Sequence, residues 1–117
     1  MSWFHIFLTQ ESKPYRQGEV IFERGQPADC MYVIAEGEVE IVVNGQGVDV
    51  LRREAIFGEM ALIAREPRSA TARASTDCRL IEIAEPRFLR LVHETPGFAL
   101  EVMRVLAKRL RRNDPTP

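Results

Sequence analysis

An acid, Glu59, and an arginine, Arg68, lie in the stretch FGEMALIAREPRSATARA, residues 57–74, in a pattern that could bind an anion. Gly58 follows an apolar, strand-like stretch and precedes a short run of helix-forming residues, so the backbone can turn there and expose N–H groups. Arg68 begins the next strand-like segment, and its planar guanidinium suits bidentate contact with a phosphate. Ser69 adds a hydroxyl donor. Together these groups could bind a phosphate.

Glu59 lies beside this positive site and, being a carboxylate, is not a phosphate ligand. Acidic residues accept hydrogen bonds from ribose hydroxyls in dinucleotide sites, so Glu59 could bind a sugar hydroxyl; it could also steady Arg68. The ligand that fits both charges is a phosphate joined to a sugar. A Gly-Glu turn followed by an Arg-Ser strand start is more often purely structural, however, and the residues alone leave both interpretations open.

The composition limits the class of protein. The 117 residues are 45% hydrophobic and 28% charged, with a formal net charge of −1, which is typical of one soluble domain with a modest core. This charge provides no general attraction to nucleic acid or to an anionic membrane. No apolar run approaches a bilayer span, and the N-terminal residues lack a signal-peptide pattern. We therefore expect a cytoplasmic protein with Cys30 and Cys78 as buried, reduced thiols.

The elements that must position these residues are mostly short strands. Segments rich in Val, Ile, Tyr and Thr alternate with glycine turns, which predicts an all-β sandwich or barrel. The sequence NGQG, residues 44–47, predicts a hairpin turn. The segment SATARA places Ala70, Ala72 and Ala74 on one face, so that a ligand could approach this strand closely.

The last third of the chain has helical periodicity. Residues 85–94 predict a helix with Pro86 in its first turn, and Thr95-Pro96 predicts the N-cap and first residue of a second helix. One apolar stripe on this second helix, at spacings of three and four, could pack on the protein or pair with a partner. The stripe consists of Ala99, Met103, Leu106 and Leu110.

The motif FGEMALI followed by PRSATARA resembles the phosphate-binding cassette of the cyclic nucleotide-binding domain family. GEVIFERGQPADCMYVIAEGEVEIVV is similar to the family's opening strands, and TDCRLIEIAEPRFLRLVHETP to its closing strand and following helix. The resemblance implies a mainly β fold: a jelly-roll-like β-roll of about eight strands with a short cassette helix and C-terminal helices. The resemblance covers roughly residues 18–110, and with the chain length it predicts a single domain over residues 1–117, with the β-roll at 13–84 and the C-terminal helices at 85–112.

The resemblance also assigns binding roles by matching position. Arg68 would pair with the cyclic phosphate, to which Ser69 and the backbone N–H of Ala61 would donate further hydrogen bonds. Glu59 and the Gly58 backbone would bind the ribose 2′-OH. We refer below to residues 57–74 as the cassette.

The predicted nucleotide-binding residues are Phe57, Gly58, Glu59, Met60, Ala61, Arg68, Ser69 and Ala70. Met60 and Ala70 would leave room for the ligand. In the family the final helix folds over the base as a lid, and a count from the cassette brings Arg109 and Asn113 near positions that face the ligand in some members. These two residues are therefore predicted base or lid contacts, and a frayed surface tail at Asn113 is the alternative.

Two departures from the family pattern stand out. Glu54 lies near a position where the family usually has a glycine, at a tight turn; the change could shift the turn while leaving the cassette intact. The N-terminal segment leaves little space for the family's helical region. Its aromatic residues Trp3, Phe4 and Phe7 are expected to pack on the core rather than on a partner.

The predicted function is a cyclic nucleotide-binding sensor in signal transduction, with cAMP as ligand, or less readily cGMP, and no cofactor. Movement of the C-terminal helix would relay binding to a second copy or an effector protein. The alternative is the same fold without ligand, acting as an interaction module. The presence of both Glu59 and Arg68 argues against that alternative, because each costs free energy to bury unpaired. The cassette recognises phosphate and ribose and leaves the base open.

Other classes find less support in the sequence. A metalloenzyme of the cupin type needs converging histidines, and the chain has only His5 and His93, so we predict no metal site and no enzyme activity. No helix-turn-helix follows the last helix, so direct DNA binding is not expected, nor is insertion into a membrane. The initial Met1 favours a free-standing chain over a regulatory domain excised from a channel, kinase or regulator.

Overall fold

Eight strands are present in the computed structural model, which describes residues 3–7 and 10–113, with side chains as far as Arg111. They are β1 (Lys13–Tyr15), β2 (Val20–Phe22), β3 (Cys30–Glu36), β4 (Val39–Val43), β5 (Gln46–Leu51), β6 (Ile56–Phe57), β7 (Thr71–Ala74) and β8 (Cys78–Ala84). Two four-stranded antiparallel sheets result, with strand orders β1-β8-β3-β6 and β2-β7-β4-β5. The predicted mainly β fold of about eight strands is confirmed.

Helices lie at both ends of the described chain and in the cassette. A 3₁₀ helix (Trp3–Phe7) precedes the strands, α1 (Met60–Ile63) lies in the cassette, and α2 (Glu85–Glu94) and α3 (Pro96–Asn113) follow β8. Both C-terminal helices begin where the proline signals predict, because a proline in the first turn needs no hydrogen-bond partner for its nitrogen. Among the described helices, none is both long and apolar enough to cross a bilayer.

Apolar side chains form two buried clusters on the two faces of the first sheet. Along β3, Met31 and Val33 point to the helices, whereas Tyr32 and Ile34 point into the roll, as the two-residue period of a strand requires. The helix cluster consists of Phe4, Phe7, Met31, Val33, Ile56, Leu62, Ile81, Ile83, Phe88, Phe98 and Val102. The roll cluster consists of Tyr15, Cys30, Tyr32, Ile34, Val39, Phe57, Ala72, Ala74, Cys78 and Leu80. Both cysteines are buried and free, as expected.

The N-terminal aromatic residues pack on α3. Phe4 and Phe7 are buried, and the ring centroid of Trp3 lies 5.6 Å from that of Phe98. The prediction that these residues pack on the core is confirmed. The short 3₁₀ helix thereby anchors the first turn of α3 against the roll.

The apolar stripe predicted for α3 is buried only in part: Ala99 and Leu106 are half-buried, and Leu106 packs against the helix cluster. Met103 and Leu110 are 59% and 68% exposed, whereas Phe98 and Val102, one residue earlier in the period, are buried. Two sets of apolar residues with similar spacing overlap in this helix. The aromatic cluster beneath its first turn selects the set that contains Phe98, and periodicity within α3 alone does not reveal that contact.

The turn before β6 is formed even though Glu54 replaces the expected glycine. Glu54 has φ +77°, in the left-handed region, and its backbone N–H donates to the Ile34 carbonyl oxygen at 2.9 Å. A non-glycine residue pays a conformational cost in this region. The substitution therefore leaves strain in the turn.

Candidate functional site

A cavity of about 610 Å³ lies between the second sheet, the cassette and α3. Seven of the eight predicted cassette residues line it, Glu59 being the exception, and Arg109 lines it from α3. Its remaining walls are mostly apolar: Phe22, Ile41, Val43, Val48, Leu51, Ile63, Leu106 and Leu110. A cavity of this size and composition fits a small organic ligand with a few polar groups.

Arg68 is a buried cation at the edge of this cavity. It is 7% exposed, its Nη1 donates to the Gly58 carbonyl oxygen at 3.1 Å, and its Nη2 donates to the Cys30 carbonyl oxygen at 2.9 Å. Across the described residues, no carboxylate lies within 4.0 Å of it. Burying a charge without a counter-charge is costly, and an anion in the cavity would supply that counter-charge.

Two aromatic rings lie beside the guanidinium of Arg68. Its Cζ is 4.0 Å from the ring centroid of Phe22 and 5.7 Å from that of Tyr32. These rings form a group with Phe57, whose centroid is 6.0 Å from Phe22 and 5.2 Å from Tyr32. The face of an aromatic ring attracts a cation without neutralising it. The net positive charge of Arg68 is therefore retained.

The groups around Arg68 are also neutral. The Cys30 Sγ lies 3.6 Å from Arg68 Nη2, and burial raises the pKa of the Cys30 thiol above its ordinary value. Burial likewise raises the pKa of the Tyr32 hydroxyl. Both groups therefore stay protonated at neutral pH, and neither competes with an anion for Arg68.

Gly58 is required by its conformation and by its contact with Arg68. Its φ is +80°, and a Cβ atom there would lie 2.6 Å from Arg68 Nη1. Any side chain would both strain the backbone and displace the guanidinium. The sequence predicted the turn; the close approach to Arg68 becomes visible only when β6 and the loop before β7 are placed together.

Glu59 is fully buried, and its partner is Arg109 of α3 rather than Arg68. Arg109 Nη1 donates to Glu59 Oε2, whereas Oε1 is buried with no hydrogen-bond partner among the described atoms. The idea that Glu59 steadies Arg68 is therefore wrong. The arrangement instead links the cassette directly to the last helix through one carboxylate, whose second oxygen is still able to accept a hydrogen bond.

The other predicted residues differ in exposure. Ser69 is exposed at the cavity edge, Met60 and Ala70 are half-buried in its wall, and Ala61 is buried in α1. The side chain of Asn113 lies outside the described residues. The described part of the chain has no group of three His, Cys, Asp or Glu residues that could hold a metal ion.

The methyl face of SATARA has a different role from the one expected. Ala70 lines the cavity, but Ala72 and Ala74 are buried in the roll cluster, where they pair across the sheet with Ile41 and Val39. The small side chains therefore serve sheet packing at two of the three positions. Close approach by a ligand is open only at Ala70.

Sequence reasoning missed the contribution of Phe22. The residue lies in β2, half-buried, and it lines the cavity next to Arg68 although 46 residues separate the two in sequence. An aromatic residue in a short strand is ordinarily assigned to the core. No local signal identified this contact.

Comparison with known proteins points to one family. The family model of the cyclic nucleotide-binding domain matches residues 12–95. The cAMP-dependent protein kinase regulatory subunit of Schizosaccharomyces pombe is 38% identical over 91 residues, which cover 77% of this chain and 21% of that protein. The chain spans about half or less of the length of the curated relatives that it matches first.

Solved structures with the same fold include the catabolite activator protein of Thermus thermophilus. It has a TM-score of 0.79 at 31% identity, and the match covers 89% of this chain and 51% of that one. The cAMP-bound form of the EAL enzyme Bd1971 has a TM-score of 0.66 at 36% identity, covering 87% of this chain and 29% of that one. Its cGMP-bound form has a TM-score of 0.68 at 35% identity, covering 91% and 30%.

Proposed function

Because the chain belongs to the cyclic nucleotide-binding domain family, and is a regulatory domain of that kind, we propose that it senses cAMP, and less readily cGMP, in the cavity beside the cassette. The observation that carries this proposal is Arg68, a buried cation without a carboxylate partner among the described residues. A cyclic phosphate supplies the missing negative charge. We also propose that residues 1–117 act as a single domain and that its role is regulation without catalysis.

Each predicted contact has a task in this proposal. Arg68, Ser69 and the backbone N–H of Ala61 bind the cyclic phosphate. Glu59 accepts a hydrogen bond from the ribose 2′-OH through its unpartnered oxygen, and the backbone of Gly58 binds the same hydroxyl. Met60 and Ala70, which are half-buried in the cavity wall, leave space for the sugar. The apolar wall from β4, β5 and α3 contacts the base.

The choice of cAMP rests on the relatives rather than on the cassette. The kinase regulatory subunit is described as cAMP-dependent, and Bd1971 has been solved with cAMP and with cGMP. A fold that admits both purines in a related protein supports binding of both here, with different affinity. We place cAMP first.

The pair between Glu59 and Arg109 suggests how binding is relayed. A ribose hydroxyl that binds Glu59 changes the surroundings of the carboxylate that is paired with α3. If the nucleotide has a higher affinity for one position of α3 than for another, its binding shifts the helix towards that position. The exposed Met103 on α3 is available to a second copy or an effector protein. Hydrogen exchange tests the relay: nucleotide should change protection in residues 97–112, and unchanged protection would contradict it.

Calorimetric titration tests the ligand. We expect the wild-type protein to bind cAMP more tightly than cGMP and to reject 5′-AMP, and Arg68→Ala to lose about 100-fold or more in affinity, since charge-assisted contacts with the phosphate disappear. Arg52→Ala is the matched control, because Arg52 is exposed and pairs with Glu38 at the surface, away from the cavity. If neither nucleotide gives heat of binding, the alternative function, an interaction module without a ligand, would be favoured. Full affinity in Arg68→Ala would refute the role of that residue.

Replacing cAMP by 2′-deoxy-cAMP tests Glu59 separately. Without the hydroxyl donor, the buried Oε1 of Glu59 stays unsatisfied, and we expect roughly tenfold weaker binding. Equal affinity for the two nucleotides would show that Glu59 does not bind the ribose.

A further inference from the structure

We infer that Phe22 is a positioning residue for Arg68: its ring holds the guanidinium in place for a cyclic phosphate without neutralising its charge. The inference rests on the proposed function for its ligand. Its basis in the structure is the distance of 4.0 Å between Arg68 Cζ and the Phe22 ring centroid.

The hydrogen bonds of Arg68 fix only part of its geometry. Nη1 and Nη2 donate to the carbonyl oxygens of Gly58 and Cys30, which determines how far the side chain extends into the site. A planar guanidinium can still tilt about the axis of these bonds. Contact with a flat ring on one face limits that tilt, because planar groups stack with their faces together.

Phe22 is itself held by neighbouring rings. Its ring stacks on Tyr32 with a centroid distance of 5.9 Å and an interplanar angle of 29°. Tyr32 in turn stacks on Phe57 at 5.2 Å and 20°. Tyr32 and Phe57 are both buried, so Phe22 meets Arg68 as the outer member of a packed aromatic group.

An acidic residue in place of the ring would have the opposite effect on function. A carboxylate next to Arg68 would form a buried ion pair and stabilise the empty site, and a phosphate would then have to compete with it. The aromatic face attracts the cation more weakly. Arg68 therefore keeps a defined position and remains available to an incoming anion.

The test compares Phe22→Leu with Phe22→Tyr and with Tyr15→Leu. Phe22→Leu removes the ring but keeps an apolar side chain, and Phe22→Tyr restores an aromatic face. Tyr15→Leu is the matched control: Tyr15 is buried in the roll cluster, contacts Lys13 rather than Arg68, and does not line the cavity. We expect Phe22→Leu to bind cAMP about tenfold more weakly, while Phe22→Tyr and Tyr15→Leu stay within about twofold of wild type.

A second measurement in nucleotide-free protein keeps the inference separate from the proposed function. The side-chain NMR signals of Arg68, assigned through Arg68→Lys, should be shifted by the ring current of residue 22 in wild type and in Phe22→Tyr. In Phe22→Leu they should move towards ordinary positions, because only the more distant Tyr32 ring, 5.7 Å from Arg68 Cζ, still shifts them. Unchanged signals in Phe22→Leu, or equal loss of affinity in Tyr15→Leu, would overturn the inference. Failure of wild type to bind either nucleotide would refute the sensor function, and the NMR result would still decide whether Phe22 positions Arg68.

Discussion

The carboxylate of Glu59 in the cassette is paired with the guanidinium of Arg109 near the end of α3. The residue that is predicted to bind the ribose is therefore in direct contact with α3. Fifty residues separate Glu59 and Arg109 in sequence. Glu59 is fully buried, whereas the Arg109 side chain is 35% exposed. The ion pair therefore connects the buried part of the cassette to a helix that also contacts solvent.

Removing the arginine of this pair should destabilise the nucleotide-free protein. We expect Arg109→Ala to lower the free energy of unfolding by about 2 kcal/mol, because a buried carboxylate loses its counter-charge while partial exposure of Arg109 moderates the cost. Arg104→Ala is the control on the same helix: its pair with Glu101 is 3.8 Å long, Arg104 is 64% exposed, and the expected loss is below about 0.5 kcal/mol. Urea denaturation measures both. Equal losses would mean that the buried pair contributes little.

Gly58 and Gly45 allow strain and contact to be separated. Both have positive φ, +80° and +79°, but a Cβ at Gly58 would meet Arg68, whereas nothing lies within 4 Å of one at Gly45. We expect Gly45→Ala to cost about 1 kcal/mol of stability through backbone strain alone. Gly58→Ala should cost more and should also abolish tight cAMP binding, since Arg68 must move. Thermal denaturation and calorimetry give the two quantities.

The two glycine variants test whether Gly58 packs closely against Arg68. Stability losses of the same size in the two variants, with normal cAMP affinity in Gly58→Ala, would contradict the close packing of Gly58 against Arg68. Loss of binding in Gly45→Ala as well would indicate a general disturbance of the roll. The hairpin that contains Gly45 has Asn44 at φ 52°, as expected for a two-residue turn between β4 and β5.

The sequence predicted more of the backbone than of the side-chain contacts. Proline and threonine signals placed the starts of α2 and α3, and the turn at Asn44 was correct, because these features depend on local conformational preferences. Contacts between distant segments were missed: Phe22 against Arg68, and Glu59 paired with Arg109. Such contacts depend on how sheets and helices pack, for which a single sequence contains no local signal.

Glycine, the residue that the family pattern favours near this position, should relieve the backbone strain of the turn at Glu54. Glu54→Gly relieves a φ of +77° and should raise the free energy of unfolding by about 0.5–1 kcal/mol, after allowing for the greater entropy of glycine in the unfolded chain. Glu54→Ala is the matched control, since it removes the surface pair with Arg53 but keeps the Cβ atom. It should bring no gain. A gain from Glu54→Ala equal to that from glycine would show that charge, not backbone strain, is the cause.

Alkaline pH should destabilise the fold through its buried thiols and phenols. Burial raises the pKa of Cys30, Cys78, Tyr15 and Tyr32. The folded state therefore favours their neutral forms, and this stabilisation is complete below the ordinary pKa values, about 8.5 for cysteine and about 10 for tyrosine. It is lost as pH rises through the higher folded-state pKa values, because the unfolded chain ionises first. The free energy of unfolding should be nearly constant up to about pH 8 and fall above it.

Tyr32→Phe isolates one of these groups, since it keeps the ring beside Arg68 and removes the ionisable hydroxyl. Each group that is ionised in the unfolded state alone contributes a slope of about 1.4 kcal/mol per pH unit. We therefore expect the unfolding free energy of Tyr32→Phe, measured by urea denaturation between pH 7 and pH 11, to fall less steeply than that of wild type above about pH 10. Parallel curves throughout this range would mean that the Tyr32 hydroxyl ionises equally readily in the folded and unfolded states.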